Sequence, residues 1–290
     1  MKLCRFDNNR LGLVEGDQVR DVTAALDSLP AYRYPLPAFD PLIANLETVV
    51  ARIKALAPTA PLLPLAGREL LAPIANPGKI IGAPVNYKKH LEEARDDAQI
   101  HHNSQIAEIQ KIGVFLKANS SLTGPSHGVV LQHPDRRNDH EAELVVVIGK
   151  AGRNISRADA HLHIAGYSSG LDMTTRGPED RSLRKSIDTY SVLGPWFVTA
   201  DEIADAGNLD FSLTVNGQVK QKANTSDLIL SIAELIEFAS SFYSLLPGDL
   251  IYTGTPEGVG PVVPGDVIVT EFEGIGRMEV AVSSAKREAA

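Results

Sequence analysis

A chain of 290 residues with 43% hydrophobic residues holds enough apolar material for an enzyme-sized core, which excludes global disorder. Its net charge of −8, from 28 basic and 36 acidic residues, argues against a nucleic-acid partner, which would need a basic stripe. The single cysteine, Cys4, excludes an intrachain disulfide and a cysteine-based zinc site; with no signal-like leader and no stretch near the ~20 apolar residues of a membrane span, a cytoplasmic protein without a membrane partner is expected.

Residues 1 to 72 read as a small N-terminal α+β domain. KLCRF, LGLVEG and QVRDV have strand character, with Asn8-Asn9 and Gly16-Asp17 as turns, and Cys4 there suits a small buried residue better than a nucleophile. DPLIANLETVVARIKAL predicts one helix with Asp40 as N-cap and Pro41 at its first position. APTAPLLPLAG is a proline-rich connector. Nothing in this unit clusters catalytic side chains, so its expected role is structural.

The second unit, 73 to 290, opens on the strand KIIGAPV. The polar stretch over 86–112 follows; its first half can be helical, and the whole reads as a lid or a solvated excursion. GVFLKANS returns to strand character, and from Glu141 onward strands dominate. FSLTVNGQVKQ predicts a hairpin turning at Asn216-Gly217, and GDVIVTEFEGIGRMEVAV another. SIAELIEFASSFYSLLPGD predicts a helix with a Ser231–Glu234 capping box, ended by Pro247-Gly248. Many strands and few helices imply a mostly β architecture with peripheral helices.

DHEAELVVVIGK, 139 to 150, places two carboxylates at the mouth of an apolar run. Read as one strand, Glu141 and Glu143 share a face about 7 Å apart. Two such charges repel unless a cation or hydrogen bonds compensate, and a hard divalent ion (Mg²⁺, Mn²⁺ or Ca²⁺) suits oxygen ligands. A solvated strand end is the alternative. Asp172 in GYSSGLDMTTRG sits at a predicted strand end, and YTGTPEGVGPVVPGD is a glycine-rich turn that can offer N–H groups to an anion, or simply join core strands. His90 and Glu93, three apart in NYKKHLEEA, would share a helix face and form an acid–base pair, or a solvated one. Lys117 and Lys185 stand beside apolar stretches.

Taken in order, KIIGAPVNYKKHLEE, VFLKANSS, DHEAELVVVIGK, GYSSGLDMTTRG, KSIDTYSVLGPW, VNG and TGTPEGVGPVVPGDVI resemble the fumarylacetoacetate hydrolase family, in its acylpyruvate hydrolase and hydroxymuconate isomerase-like branch. The resemblance implies a β-roll catalytic domain, a homodimer, and Mg²⁺ or Mn²⁺ held by Glu141, Glu143 and Asp172. It further implies a His90–Glu93 dyad on a lid, Lys185 polarising a substrate carbonyl, and substrate contacts from Lys117, Arg176, Gly254 and Thr255. Glu92 is the neighbouring candidate for Glu93, and His101 and His102 read as solvated lid residues. Three departures stand out: Ala118 replaces a proline after Lys117, Glu179 falls where the family carries a glutamine, and the stretch before Lys185 is short. Glu179 would bring negative charge near substrate; Arg181 or Arg184 would compensate or hold a distal carboxylate. The implied activity is metal-dependent hydrolysis of a C–C bond in a small anionic 2,4-dioxo acid, with departure of an enolate; decarboxylation or isomerisation of related oxo acids is the alternative.

Overall fold

The computed structural model describes residues 1–101 and 106–285. Strand Ala142–Ile148 is buried along its whole length. Leu144, Val146 and Ile148 enter one core and Val145 and Val147 another. With both faces covered, this strand has no solvent side, which is why its sequence is an unbroken apolar run. It lies inside a large mixed sheet ordered Leu62–Pro64, Gln18–Asp21, Arg10–Glu15, Lys2–Phe6, Ser191–Thr199, Ile164–Asp172, Ala142–Ile148, Leu250–Tyr252, Ile80–Gly82 and Phe115–Lys117.

A five-stranded sheet, ordered Gln218–Asn224, Asp210–Val215, Val267–Phe272, Gly276–Ser284 and Val129–Leu131, contributes Phe211, Leu213, Ile268 and Met278 to the first core. Phe211 and Phe272 are directly paired and stack at 4.4 Å. The first two of these strands form the expected hairpin, with Asn216 and Gly217 at φ 50° and 77°, the left-handed pair a tight two-residue turn requires. A small third sheet joins Thr174–Thr175, Asn138–His140 and Gly260–Pro261. The architecture is mostly β with peripheral helices, as the sequence implied.

Three local expectations need correction. The stretch after Asn138 is not one strand: Asn138–His140 pairs in the small sheet, Ala142–Ile148 in the large one, and Glu141 lies at the crossover. The helix expected over 40–56 splits into Pro41–Ala44 and Leu46–Leu56 at Asn45, whose φ/ψ of −119°/25° is not helical and whose Nδ2 donates to Pro41 O at 2.8 Å. Asp40 caps the first piece as expected, accepting from Ile43 N at 3.0 Å. Helix Ile232–Phe242 carries the Ser231–Glu234 capping box, but it ends before Pro247-Gly248: Tyr243 is extended, and Leu245 is drawn into a bridge with Gly152.

Lys2–Phe6 pairs with Ser191–Thr199, so the sheet is continuous across residues 72 and 73. Leu3, Leu11, Ile43 and Ile53 share a core with Val145, Val147, Leu193 and Phe197. Among the described residues, no helix is long and apolar enough to cross a membrane.

Candidate active site

The carboxylates converge because two strands deliver them in register. Ile164–Asp172 runs antiparallel to Ala142–Ile148, with Glu143 opposite Gly170, and Asp172 N donates to Glu141 O at 2.9 Å. Directly opposed residues project to the same side of a sheet. Glu141, Glu143 and Asp172 thus each offer an oxygen within 4.8 Å of the others, all buried.

Cations surround two of the three acids. Lys185 ends the short helix Arg181–Lys185, which Asp180 caps by accepting from Ser182 N at 2.7 Å. Its Nζ donates to Glu141 Oε2 and Asp172 Oδ2, both at 2.7 Å, and to Thr174 Oγ1 at 2.6 Å. Arg176 donates from Nε to Asp139 Oδ2 at 2.7 Å and from Nη2 to Glu141 Oε1 at 2.9 Å. Burial opposes the Glu141 charge, but Lys185 and Arg176 outweigh it and hold this carboxyl well below the usual range.

Glu143 is different. Among the described residues its hydrogen-bond partner is a backbone group: Gly254 N donates to Oε2 at 2.7 Å. Burial, then the charge of Asp172, pushes its pKa well above the usual carboxylate value. Gly254 has φ 106°, and a Cβ there would stand 2.6 Å from Asn86 Cβ, so only glycine brings this N–H to Glu143. Three carboxylate oxygens without nitrogen or sulfur suit a hard divalent cation, and such an ion would relieve the charge crowding that Glu143 suffers. The residues fit Mn²⁺ or Mg²⁺.

The triad lies on the wall of a cavity of about 380 Å³ that His90, Arg176 and Lys185 also line. Helix Lys88–Asp96 presents His90, whose Nδ1 lies 2.8 Å from Glu93 Oε2. An ionised carboxylate only accepts, so this contact selects the tautomer protonated on Nδ1 and leaves Nε2 as an acceptor. Glu93 Oε1 accepts from Gly258 N at 2.9 Å, which ties the helix to the glycine-rich turn. Glu93, and not Glu92, is thus the partner of His90. His102 and the side chain of His101 lie outside the described residues.

Other expected substrate contacts distribute unevenly. Thr255 and Arg176 line the cavity, whereas Lys117 and Gly254 stand behind its wall. The Lys117 ammonium is buried, bonded to Asp172 Oδ1 and, at 2.8 Å, to Tyr190 O. Glu179 lines the cavity, but Arg136 grips it with two hydrogen bonds of 3.0 and 2.8 Å and holds its pKa down to about 2. Its negative charge is therefore matched by a residue that no motif singled out.

Sequence reasoning also missed Asp139, Gln221 and Val85. Asp139 is buried between Arg176 and Arg137, and its place two residues before Glu141 was a usable signal. Gln221 accepts from Ala142 N at 3.0 Å and donates to Thr255 Oγ1 at 2.8 Å; nothing in a polar strand marks it. Val85 lines the cavity at φ 45°, a strained conformation for a β-branched residue.

A mostly β fold with an inward carboxylate triad, flanking lysines and a histidine–glutamate pair defines an enzyme of the oxygen-ligated metal class. Residues 79–283 match the family model described as fumarylacetoacetate (FAA) hydrolase C-terminal, and the chain belongs to the fumarylacetoacetate hydrolase family. It is 58% identical over 286 residues to "Maleylpyruvate hydrolase" of Aquipseudomonas alcaligenes, covering 98% of this chain and 100% of that one. "Oxaloacetate tautomerase FAHD2A, mitochondrial" of Homo sapiens is 36% identical, covering 83% and 81%. Among solved structures, maleylpyruvate hydrolase from Sphingobium sp. SYK-6 in complex with manganese(II) ion and pyruvate superposes with a TM-score of 0.84 at 42% identity, covering 99% and 100%.

Proposed function

We propose that this chain is a divalent-metal-dependent hydrolase that splits a 2,4-dioxo acid of the acylpyruvate type into pyruvate and a carboxylic acid. The observation that carries this reading is the convergence of Glu141, Glu143 and Asp172 within 4.8 Å at a cavity faced by His90. The full-length similarity to a maleylpyruvate hydrolase supports the substrate class. Manganese, which accompanies pyruvate in the Sphingobium relative, is the favoured ion, with Mg²⁺ as the alternative.

Glu141, Glu143 and Asp172 would hold the ion, which supplies Lewis-acid polarisation of the α-oxo acid's oxygens. His90, oriented by Glu93, takes a proton from water at Nε2 as the water oxygen bonds to the distal carbonyl carbon. The bond from that carbon to the methylene breaks, and its electron pair leaves with the pyruvate fragment as an enolate. Lys185 Nζ, whose three N–H groups go to Glu141, Asp172 and Thr174, would release one of these carboxylates to the ion and donate that N–H to the oxygen where this charge develops. The proton held by His90 returns to the leaving carbon. Lys117 and Gly254 act as positioning residues for Asp172 and Glu143. Arg176 holds Glu141 in place, and Thr255 contacts substrate. The helix Lys88–Asp96 excludes water as a lid.

The test is incubation with Mn²⁺, acetylpyruvate and ¹⁸O-water, with products identified by mass. The expected result is acetate and pyruvate in equal amounts, with ¹⁸O in the acetate carboxylate; no cleavage, or CO₂ release alone, would overturn it. The human oxaloacetate tautomerase relative motivates the second reading, proton shuttling on an oxaloacetate-like acid at the same site, which would show as keto–enol interconversion without cleavage.

A homodimer in the cytoplasm completes the proposal, with sedimentation velocity as the check on the dimer. Residues 1–72 serve as a structural domain. Two features support that role: they share a core with the large sheet, and the cavity lining contains none of them.

A further inference from the structure

We propose that Arg181 is a specificity-determining residue that binds the distal carboxylate of a dicarboxylic substrate. This rests on the oxo-acid reading above and names the substrate class more narrowly.

The cavity wall carries Arg176, Arg181, Arg184 and Lys185, and their side chains are not equivalent. Arg176 spans Asp139 and Glu141, and Lys185 spans Glu141 and Asp172. Arg184 is committed to backbone, donating to Glu179 O at 2.8 Å and Thr175 O at 3.4 Å. The nearby acids are engaged too: Glu179 is held by Arg136, and Asp180 accepts from Ser182 N and Oγ. Arg181 has no hydrogen bond or ion pair to any described residue; its guanidinium lies 5.5 Å from the Phe115 ring centroid. A half-buried guanidinium has lost part of its hydration, so an anion placed against it gains more than it would at an exposed site.

Position and spacing then choose the ligand. Arg181 and Lys185 begin and end one helix, four residues apart, and therefore share a face. Lys185 Nζ also lies 5.5 Å from the centroid of the same Phe115 ring. Four residues of helix rise roughly 6 Å. That is the span between the two carboxylates of a six-carbon dicarboxylic acid. With the α-oxo acid end at the triad beside Lys185, a second carboxylate one helical turn away meets Arg181, and Phe115 flanks the chain between them.

The test uses titration calorimetry on the full, Mn²⁺-loaded chain with two ligands of equal length, 2-oxoadipate and 2-oxohexanoate, which differ in the second carboxylate. Wild type should bind 2-oxoadipate about tenfold or more tightly, the effect of one charge-assisted hydrogen-bonded contact. In Arg181→Met and Arg181→Gln this ratio should fall to about one, and Arg181→Lys should restore part of it. A wild type with no preference, or binding neither acid, overturns the proposal, as does a preference that survives in both neutral variants. Cleavage of acetylpyruvate by a wild type lacking the preference would sink this inference alone. A preference without any acylpyruvate cleavage would sink the hydrolase reading and leave Arg181 standing.

Discussion

His90 is the residue whose chemistry is most exposed to test. Its Nδ1 is occupied by Glu93 at 2.8 Å, so only Nε2 serves the cavity. His90→Ala should lower kcat about 10²–10⁴-fold, the usual worth of a positioned general base, while Mn²⁺ affinity by calorimetry stays near wild type. Glu143→Gln should do the reverse first: it removes one oxygen charge from the triad, so Mn²⁺ affinity falls and activity follows it. Exhaustive chelation should abolish turnover, and added Mn²⁺ should restore it. Cys4 is a residue without a part in the chemistry. Burial pushes its thiol up to about 12, so it should resist a thiol reagent at about pH 8 in the native state and react fully in denaturant.

Among the elements, the glycine-rich turn after Leu250–Tyr252 does the most positioning. Gly254 N holds Glu143 and Gly258 N holds Glu93, so one turn aligns a triad carboxylate with the histidine's partner. Gly254→Ala should cost about 1–3 kcal/mol through its φ of 106° and its clash with Asn86, and it should weaken Mn²⁺ binding as well. Urea unfolding and metal titration of the same variant would read the two effects. Helix Ile232–Phe242 offers a contrast, because neither it nor its capping box contributes a residue to the cavity lining. Ser231→Ala should lower stability by about 1 kcal/mol and leave the Mn²⁺ affinity where it was. The break of the 40–56 helix at Asn45 was not legible, since apolar spacing continues through it; the Asn45 side chain bonds to Pro41 O and competes with the helical backbone.

For the whole molecule, the continuous sheet matters most. Lys2–Phe6 covers the edge of Ser191–Thr199, and Leu3 shares a core with Leu193 and Phe197. Deleting residues 1–72 would strip that edge and open the core, so the shortened chain should aggregate or lose its near-UV circular dichroism. The intact chain should melt in a single transition. Two resolved transitions, or a well-folded fragment, would show that the two parts fold independently.

What the sequence determined by itself was local or ordered along the chain. The Asn216-Gly217 turn, the Ser231–Glu234 cap and the His90–Glu93 spacing follow from neighbouring residues, because backbone preferences and helix-face contacts act over a few positions. The ordered motifs, matched by the family across residues 79–283, named the triad and its metal chemistry. The tertiary structure alone decided which charges cancel. Lys117 turns behind Asp172, Arg136 takes up Glu179, and Arg181 keeps no acidic partner among the described residues. Charge pairing depends on distance and burial between segments far apart in the chain, and neither quantity is written in the spacing of letters.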